Sequence, residues 1–286
     1  MDRFEGKVAV ITGAGSGFGR EFATRGAALG MKLVLADLDT AALAATVEAV
    51  RAAGGDATGV TTDVADPAQV LALARTSLDA YGGVHLLFNN AGVGAGGFVW
   101  ENSANDWQWV FGVNVMGVAN GLRAFVPIMI EQNEPAHIVN TASVAGLLAA
   151  PAMGVYNASK HAVVALTETL HHDLRLAGAS MIGVSLLCPA FVPTGIANAE
   201  RSRPEALANE TPYTASQKLA ARQLTRAVEG GKLSARDIAE LTFDAVREGR
   251  FYVITHPGIM PSVQLRLDDI AQLRNPTDPM SLKRPH

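Results

Sequence analysis

Tyr156 and Lys160 stand four residues apart in Tyr156-Asn157-Ala158-Ser159-Lys160, a spacing that sets both on one side of a helix, a turn from each other. A free phenol titrates near 10 and is only about 0.1% ionised at pH 7. A nearby ammonium favours the phenolate and lowers that pKa toward the range where protons exchange with an alcohol. Tyr-x-x-x-Lys alone recurs by chance as an exposed helix pair, so its weight comes from its company. Upstream, Ser143 closes the run Ile138-Val139-Asn140-Thr141-Ala142-Ser143. Its hydroxyl can bond a substrate oxygen and turn it toward Tyr156. The surroundings Thr141-Ala142-Ser143-Val144-Ala145 are not the G-x-S-x-G of a serine nucleophile. Asn114 lies between Val113 and Val115 in a long helical stretch, where it could hold a water next to Lys160.

A second constellation lies near the start of the chain. Thr12-Gly13-Ala14-Gly15-Ser16-Gly17-Phe18-Gly19 joins an apolar run to a helical one. Glycines permit positive φ and let backbone approach a pyrophosphate, while the helix N-terminus supplies oriented N–H groups. No register of these glycines fits G-x-G-x-x-G; the run fits T-G-x-x-x-G-x-G. Gly13, Ser16, Gly17, Phe18 and Gly19 are therefore candidate cofactor contacts. Asp37, followed by Leu38, ends the next apolar run, where a carboxylate can bind both ribose hydroxyls of NAD and repel the 2′-phosphate of NADP. No Lys or Arg precedes Gly19 in the loop or directly follows Asp37, so NAD is favoured over NADP. Asp63-Val64 and Asn90-Ala91-Gly92 follow two further apolar runs and join the candidate cofactor residues.

The elements that must position these groups alternate. Residues 7–12, 32–36, 57–62, 84–88, 136–142, 181–187 and 250–254 read as strands. Residues 18–29, 40–53, 67–81, 105–131, 155–177 and 234–248 read as helices. Nearly continuous apolar strands separated by helices predict an α/β fold, a Rossmann-like doubly wound parallel sheet of about seven strands with helices on both faces. A single domain is expected over 1–255. Within it residues 194–230 are polar, alanine-rich and helical in part, a lid over the substrate; 256–286 form a proline-rich tail.

From the glycine loop through Asn114, Ser143, Tyr156 and Lys160 to Pro189 and Thr194, the chain resembles a short-chain dehydrogenase/reductase over residues 6–195. The resemblance implies Tyr156 as general acid/base, with Lys160 lowering its pKa and binding the nicotinamide ribose. It implies Ser143 positioning the substrate, Asn114 completing a proton relay, and Pro189, Val192 and Thr194 contacting the nicotinamide end. Phe18, where the family usually has isoleucine, and Ala190, where glycine usually follows the proline, depart from the pattern without removing a reacting group. The resemblance also implies a homotetramer or homodimer, with 105–131 and 155–177 at one interface.

The expected reaction interconverts a secondary alcohol and a ketone, with Phe98, Met153, Phe191 and Tyr213 lining an apolar substrate pocket. The alternatives are an epimerase or dehydratase that retains NAD, and a non-catalytic NAD-binding protein. With a net charge of -4 and only 17% charged residues, nothing favours nucleic acid or an anionic membrane as partner. The single cysteine, Cys188, excludes an intrachain disulfide and a cysteine-rich metal site. His171-His172-Asp173 does not converge on an ion, since adjacent helical residues point about 100° apart; no metal is expected. The N-terminus lacks a signal-peptide core, and the apolar stretch 144–155 is short and broken by Gly and Pro, so no membrane segment and a cytoplasmic location are expected.

Overall fold

Every residue of the first strand, Val8–Thr12, is buried, as happens only when both faces of a sheet are covered. In the computed structural model, which describes residues 1, 3–279 and 281, this strand (β1) lies inside a sheet whose order is β3-β2-β1-β4-β5-β6-β7. The others are β2 Lys32–Asp37, β3 Asp56–Thr61, β4 Leu86–Asn89, β5 Ala136–Thr141, β6 Ile182–Cys188 and β7 Tyr252–Ile254. All pairings are parallel. The chain runs outward from β1 to β3 and then returns to β4 on the other side of β1. That reversal opens a crevice beyond the carboxyl ends of β1 and β4, where doubly wound sheets bind their ligands.

Alternate strand residues feed two cores. Ile11, Leu33, Leu35 and Phe88 meet Phe22 of α1 (Gly17–Ala28), Leu43 of α2 (Thr40–Ala52) and Phe243 of α8 (Ala235–Glu248). The Phe22 and Phe88 rings stack with centroids 4.4 Å apart. On the opposite face Val10, Val34 and Leu87 meet Leu73 of α3 (Pro67–Tyr81), Phe125 of α5 (Gly117–Gln132) and Leu170 of α6 (Gly154–Leu176).

The expected helix over 105–131 is interrupted. A first segment, α4 (Ala104–Phe111), passes through a π-turn at Gly112–Met116 into α5. One extra residue in a helical turn shifts the phase of the apolar face by about 100° while each flank keeps its own period, so both flanks read as helix; such turns frequently mark functional sites. The run Ala104–Gln132, rather than the shorter 144–155, is long and apolar enough to cross a bilayer by length and composition. Its Val118, Phe125 and Met129 are core residues.

Past β6 the span expected as a lid contains 3-10 turns at Gly195–Ser202 and Glu205–Leu207 and the helix α7, Ala215–Glu229. After β7 the expected tail is more regular than its prolines suggest, with a 3-10 turn at Pro257–Ile259 and α9, Met260–Ala271. The final part of the expected tail, residue 280 and 282–286, lies outside the described residues.

Candidate active site

The site begins where β1 ends. Thr12 Oγ1 donates to the Phe88 carbonyl at 3.1 Å and accepts from the amides of Asn90 and Ala91 at 2.9 and 3.1 Å. Asn90 Nδ2 returns a bond to the Thr12 carbonyl. These contacts tie the β1 and β4 exits together and give Asn90 a scaffold duty. Gly13 takes φ +67°, and a Cβ there would stand 2.9 Å from Ala91 Cα; only glycine fits. Gly19 sits behind the loop, where a Cβ would be 2.0 Å from the Gly13 carbonyl oxygen. It packs helix against loop and lines no part of the cavity, unlike Gly13, Ser16, Gly17 and Phe18. α1 has no acidic residue in its first turn, and its N-cap, Ser16, makes no capping bond with its side chain. Its N-terminal N–H groups thus face an anion site with positive character.

At the end of β2, Asp37 Oδ2 accepts the Gly15 amide at 2.8 Å and Oδ1 accepts the Asp39 amide at 2.9 Å. The carboxylate is bolted to the glycine loop. Leu38, Asp63, Val64, Ala91 and Gly92 complete this end of the cavity, with Asp63 Oδ1 engaged by the Ala65 amide.

The other end gathers Ser143, Tyr156 and Lys160. Ser143 Oγ donates to the Pro189 carbonyl at 3.3 Å and accepts the Ala145 amide at 3.1 Å. Lys160 Nζ donates to the Thr141 carbonyl at 3.0 Å and lies 5.7 Å from the Tyr156 ring centroid. Burial pulls the lysine down to about 8. Burial raises the Tyr156 phenol above its ordinary value, and a hydrogen bond with Ser143 opposes that rise. The ammonium is turned to the Thr141 carbonyl and does not itself bond the phenol oxygen. Cys188 is buried beside this group, its thiol pushed up to about 12 by desolvation.

Asn114 does not line the cavity. Within the π-turn it is buried, with Oδ1 accepting the Val93 amide at 2.9 Å and Nδ2 donating to the Val93 carbonyl and Ser159 Oγ at 2.9 and 3.0 Å. Its amide fixes α6 against the β4 exit, which leaves it no free donor for a water.

One cavity of about 700 Å³ joins the two ends, lined by Gly13 and Asp37 as well as Ser143 and Tyr156. Pro189, Val192, Thr194, Met153 and Phe191 line it too. Two expected pocket residues do not. Phe98 is on the surface, its ring stacked on Trp100 at 5.0 Å, and its amide donates to Ser216 Oγ. Tyr213 lines a smaller neighbouring cavity with Glu200 and Gln217. Sequence reasoning missed Arg201, Arg203, Ile259 and Pro279, which also line the main cavity. Their long separation from the motifs leaves no spacing to read. Arg203 is buried, 2.6 Å from the buried Asp106, and its guanidinium lies over Trp109 at 4.3 Å.

The chemistry of this lining fits a dinucleotide. Helix N–H groups suit a pyrophosphate, a carboxylate at the β2 end suits ribose hydroxyls, and the phenol and hydroxyl at the far end suit proton exchange.

A sequence profile described as short chain dehydrogenase matches residues 7–205. A crystal structure of a short chain dehydrogenase/reductase from Burkholderia phymatum in complex with NAD is 70% identical with a TM-score of 0.97, over 98% of this chain and 100% of that one. A CLA biosynthesis dehydrogenase/reductase of Lactiplantibacillus plantarum is 36% identical over 272 residues, 94% of this chain and 95% of its own. A 1-deoxy-11-beta-hydroxypentalenate dehydrogenase of Streptomyces exfoliatus is 33% identical over 266 residues, 92% and 88% of the two chains.

Proposed function

The chain belongs to the short-chain dehydrogenase family, and from that premise we propose that it is an NAD-dependent oxidoreductase interconverting a secondary alcohol and a ketone, with Tyr156 as general acid/base. The observation that carries this reading is the single cavity that has the glycine loop and Asp37 at one end and the pair Tyr156 and Ser143 at the other. NAD as cofactor is supported by the fit of that lining and by the similar Burkholderia protein, which holds NAD.

NAD, when bound, supplies the acceptor or donor of hydride. Ser143 Oγ bonds the substrate oxygen and directs it at the Tyr156 hydroxyl. In oxidation the phenolate of Tyr156 takes the alcohol proton; in reduction the phenol gives it back. Lys160, held by the Thr141 carbonyl, places a positive charge on the Tyr156 side of the cavity and offers its remaining N–H bonds to a ribose hydroxyl. Asn114 serves the proton path by fixing Val93 and Ser159. Asp37 selects NAD by binding the ribose hydroxyls and repelling a 2′-phosphate. The protein acts as a homodimer or homotetramer in the cytoplasm.

The test follows absorbance at the NADH band with a panel of secondary alcohols, NAD and NADP in parallel. Stoichiometric NADH release is the expected result. Tyr156→Phe should lower turnover by about 10³-fold while a fluorescence titration shows unchanged NAD affinity. A Tyr156→Phe protein that still turns over normally overturns the assignment, and equal rates with NADP overturn the role of Asp37.

A further inference from the structure

The far wall of the cavity is built by neither the strand that ends before Ser143 nor the helix that carries Tyr156. Beyond β7 the chain turns through Pro257–Ile259, and Ile259 is buried in one cluster with Leu148 and Val263. Leu148 lies in the turn that follows Ser143, so Ile259 reaches the substrate end. After α9 the chain folds back on itself. Asp269 Oδ2 accepts the Thr277 amide at 2.9 Å, and Oδ1 pairs with Arg274 Nη2 at 3.0 Å. The buried Ser262 hydroxyl donates to the Pro279 carbonyl at 3.0 Å. These clamps make residues 257–279 a hook that seats Pro279, itself buried, in the same wall as Ile259.

The charged residues that line the cavity lie at its glycine-loop end or have their side chains already engaged by other groups. Asp37, Asp39 and Asp63 follow β2 and β3 at the glycine-loop end. Lys160 is engaged by Thr141. Arg203 is neutralised by Asp106 and Glu200. Arg201 donates to the carbonyls of Gly195 and Asn198 and to Ser16 Oγ. The apolar lining of the substrate end includes Val144, Leu148, Met153, Ile259 and Pro279. None of these five side chains is charged, so an ionised substituent packed against them is desolvated without a partner among the described residues.

Resting on the dehydrogenase reading, we propose that the hook, through Ile259 and Pro279, is the specificity wall of the site, and that the substrate is a neutral secondary alcohol or ketone with a bulky apolar substituent beside the reacting carbon. The test compares 2-butanol, 1-(4-methylphenyl)ethanol and the anionic 4-(1-hydroxyethyl)benzoate with NAD, in the wild type, Ile259→Ala and Pro279→Ala. Wild-type kcat/KM should be at least about tenfold higher for the neutral aryl alcohol than for either of the others. Each variant should lose about tenfold of that preference over 2-butanol, mainly through KM, with the NAD Kd from fluorescence titration within about twofold of wild type. Ile259→Val serves with a smaller loss if Ile259→Ala does not fold. Undiminished preference in folded variants, or a wild type that oxidises the benzoate as well as the neutral alcohol, overturns the proposal while leaving the dehydrogenase reading intact. NAD binding without NADH release from any alcohol overturns that reading and the proposal together.

Discussion

Lys160 is 3% exposed, and an ammonium at that depth destabilises the fold unless something compensates. With its pKa down to about 8 from an ordinary 10.5, the folded protein resists a proton that the unfolded chain accepts. The cost is therefore full below pH 8, on the order of 3 kcal/mol, and is relieved as pH rises from 8 to beyond 10.5. Lys160→Met is expected to raise the Tm at pH 7, to raise it less at pH 9, and to abolish turnover; thermal unfolding at both pH values checks the sign. Ser143 acts on the neighbouring phenol in the opposite sense to burial. Ser143→Ala should move the rising limb of the oxidation pH profile to higher pH and lower kcat/KM by about 10²-fold or more, read from initial rates across pH 6–10. These residues are legible in the sequence because the pair sits four apart on one helix and the serine ends a strand. The direction in which burial moves the phenol is not legible, because it depends on everything packed around it.

At the scale of elements, residues 194–230, the expected lid, are tied to α4 near their start. Burial opposes ionisation of Asp106, but Arg203, Asn209 and the Ser103 amide outweigh it and keep the carboxyl below its usual range. Asp106 belongs to α4 and Arg203 to the lid, so this buried pair staples one to the other. Arg203→Met leaves the carboxylate buried without its cation, which should cost about 3 kcal/mol at pH 7 and speed tryptic cleavage at Arg201. The stabilising contribution is present above the ordinary carboxylate range and lost as pH falls below it, so the Tm gap to wild type should close on acidification. Helix and strand positions were readable from hydrophobic period, apart from ends displaced by a residue or two. The π-turn and the staple were not. The first shifts the phase by a single residue while each flank keeps its helical period, and the second joins positions in separate elements that share no motif.

For the whole molecule, parallel strands bring every carboxyl end to one edge of the sheet, so motifs from Thr12 to Thr194 converge although they are spread over most of the chain. That convergence is what alternating strands and helices announce in advance. The substrate wall was hidden because it arrives after the last strand, in a segment whose prolines suggested irregularity. The outer faces leave Met116 and Ile130 exposed on the π-turn and α5, and Leu176 at the end of α6. Light scattering on the purified chain is expected to give a dimer or tetramer mass, and a monomer at micromolar concentration would refute that assembly.

With residues 194–230 tied to α4 at Arg203, opening is expected only ahead of that tie. Residues 195–202, with Arg201 on Ser16, form the piece that can lift away from the glycine loop, while the stretch behind Arg203 stays seated on α4. The nucleotide and the alcohol, the latter against Ile259, would occupy two ends of one cavity and are expected to share the opening this piece leaves. Turnover should follow a compulsory queue, and product-inhibition patterns in which NADH competes with NAD but the ketone does not would reveal it.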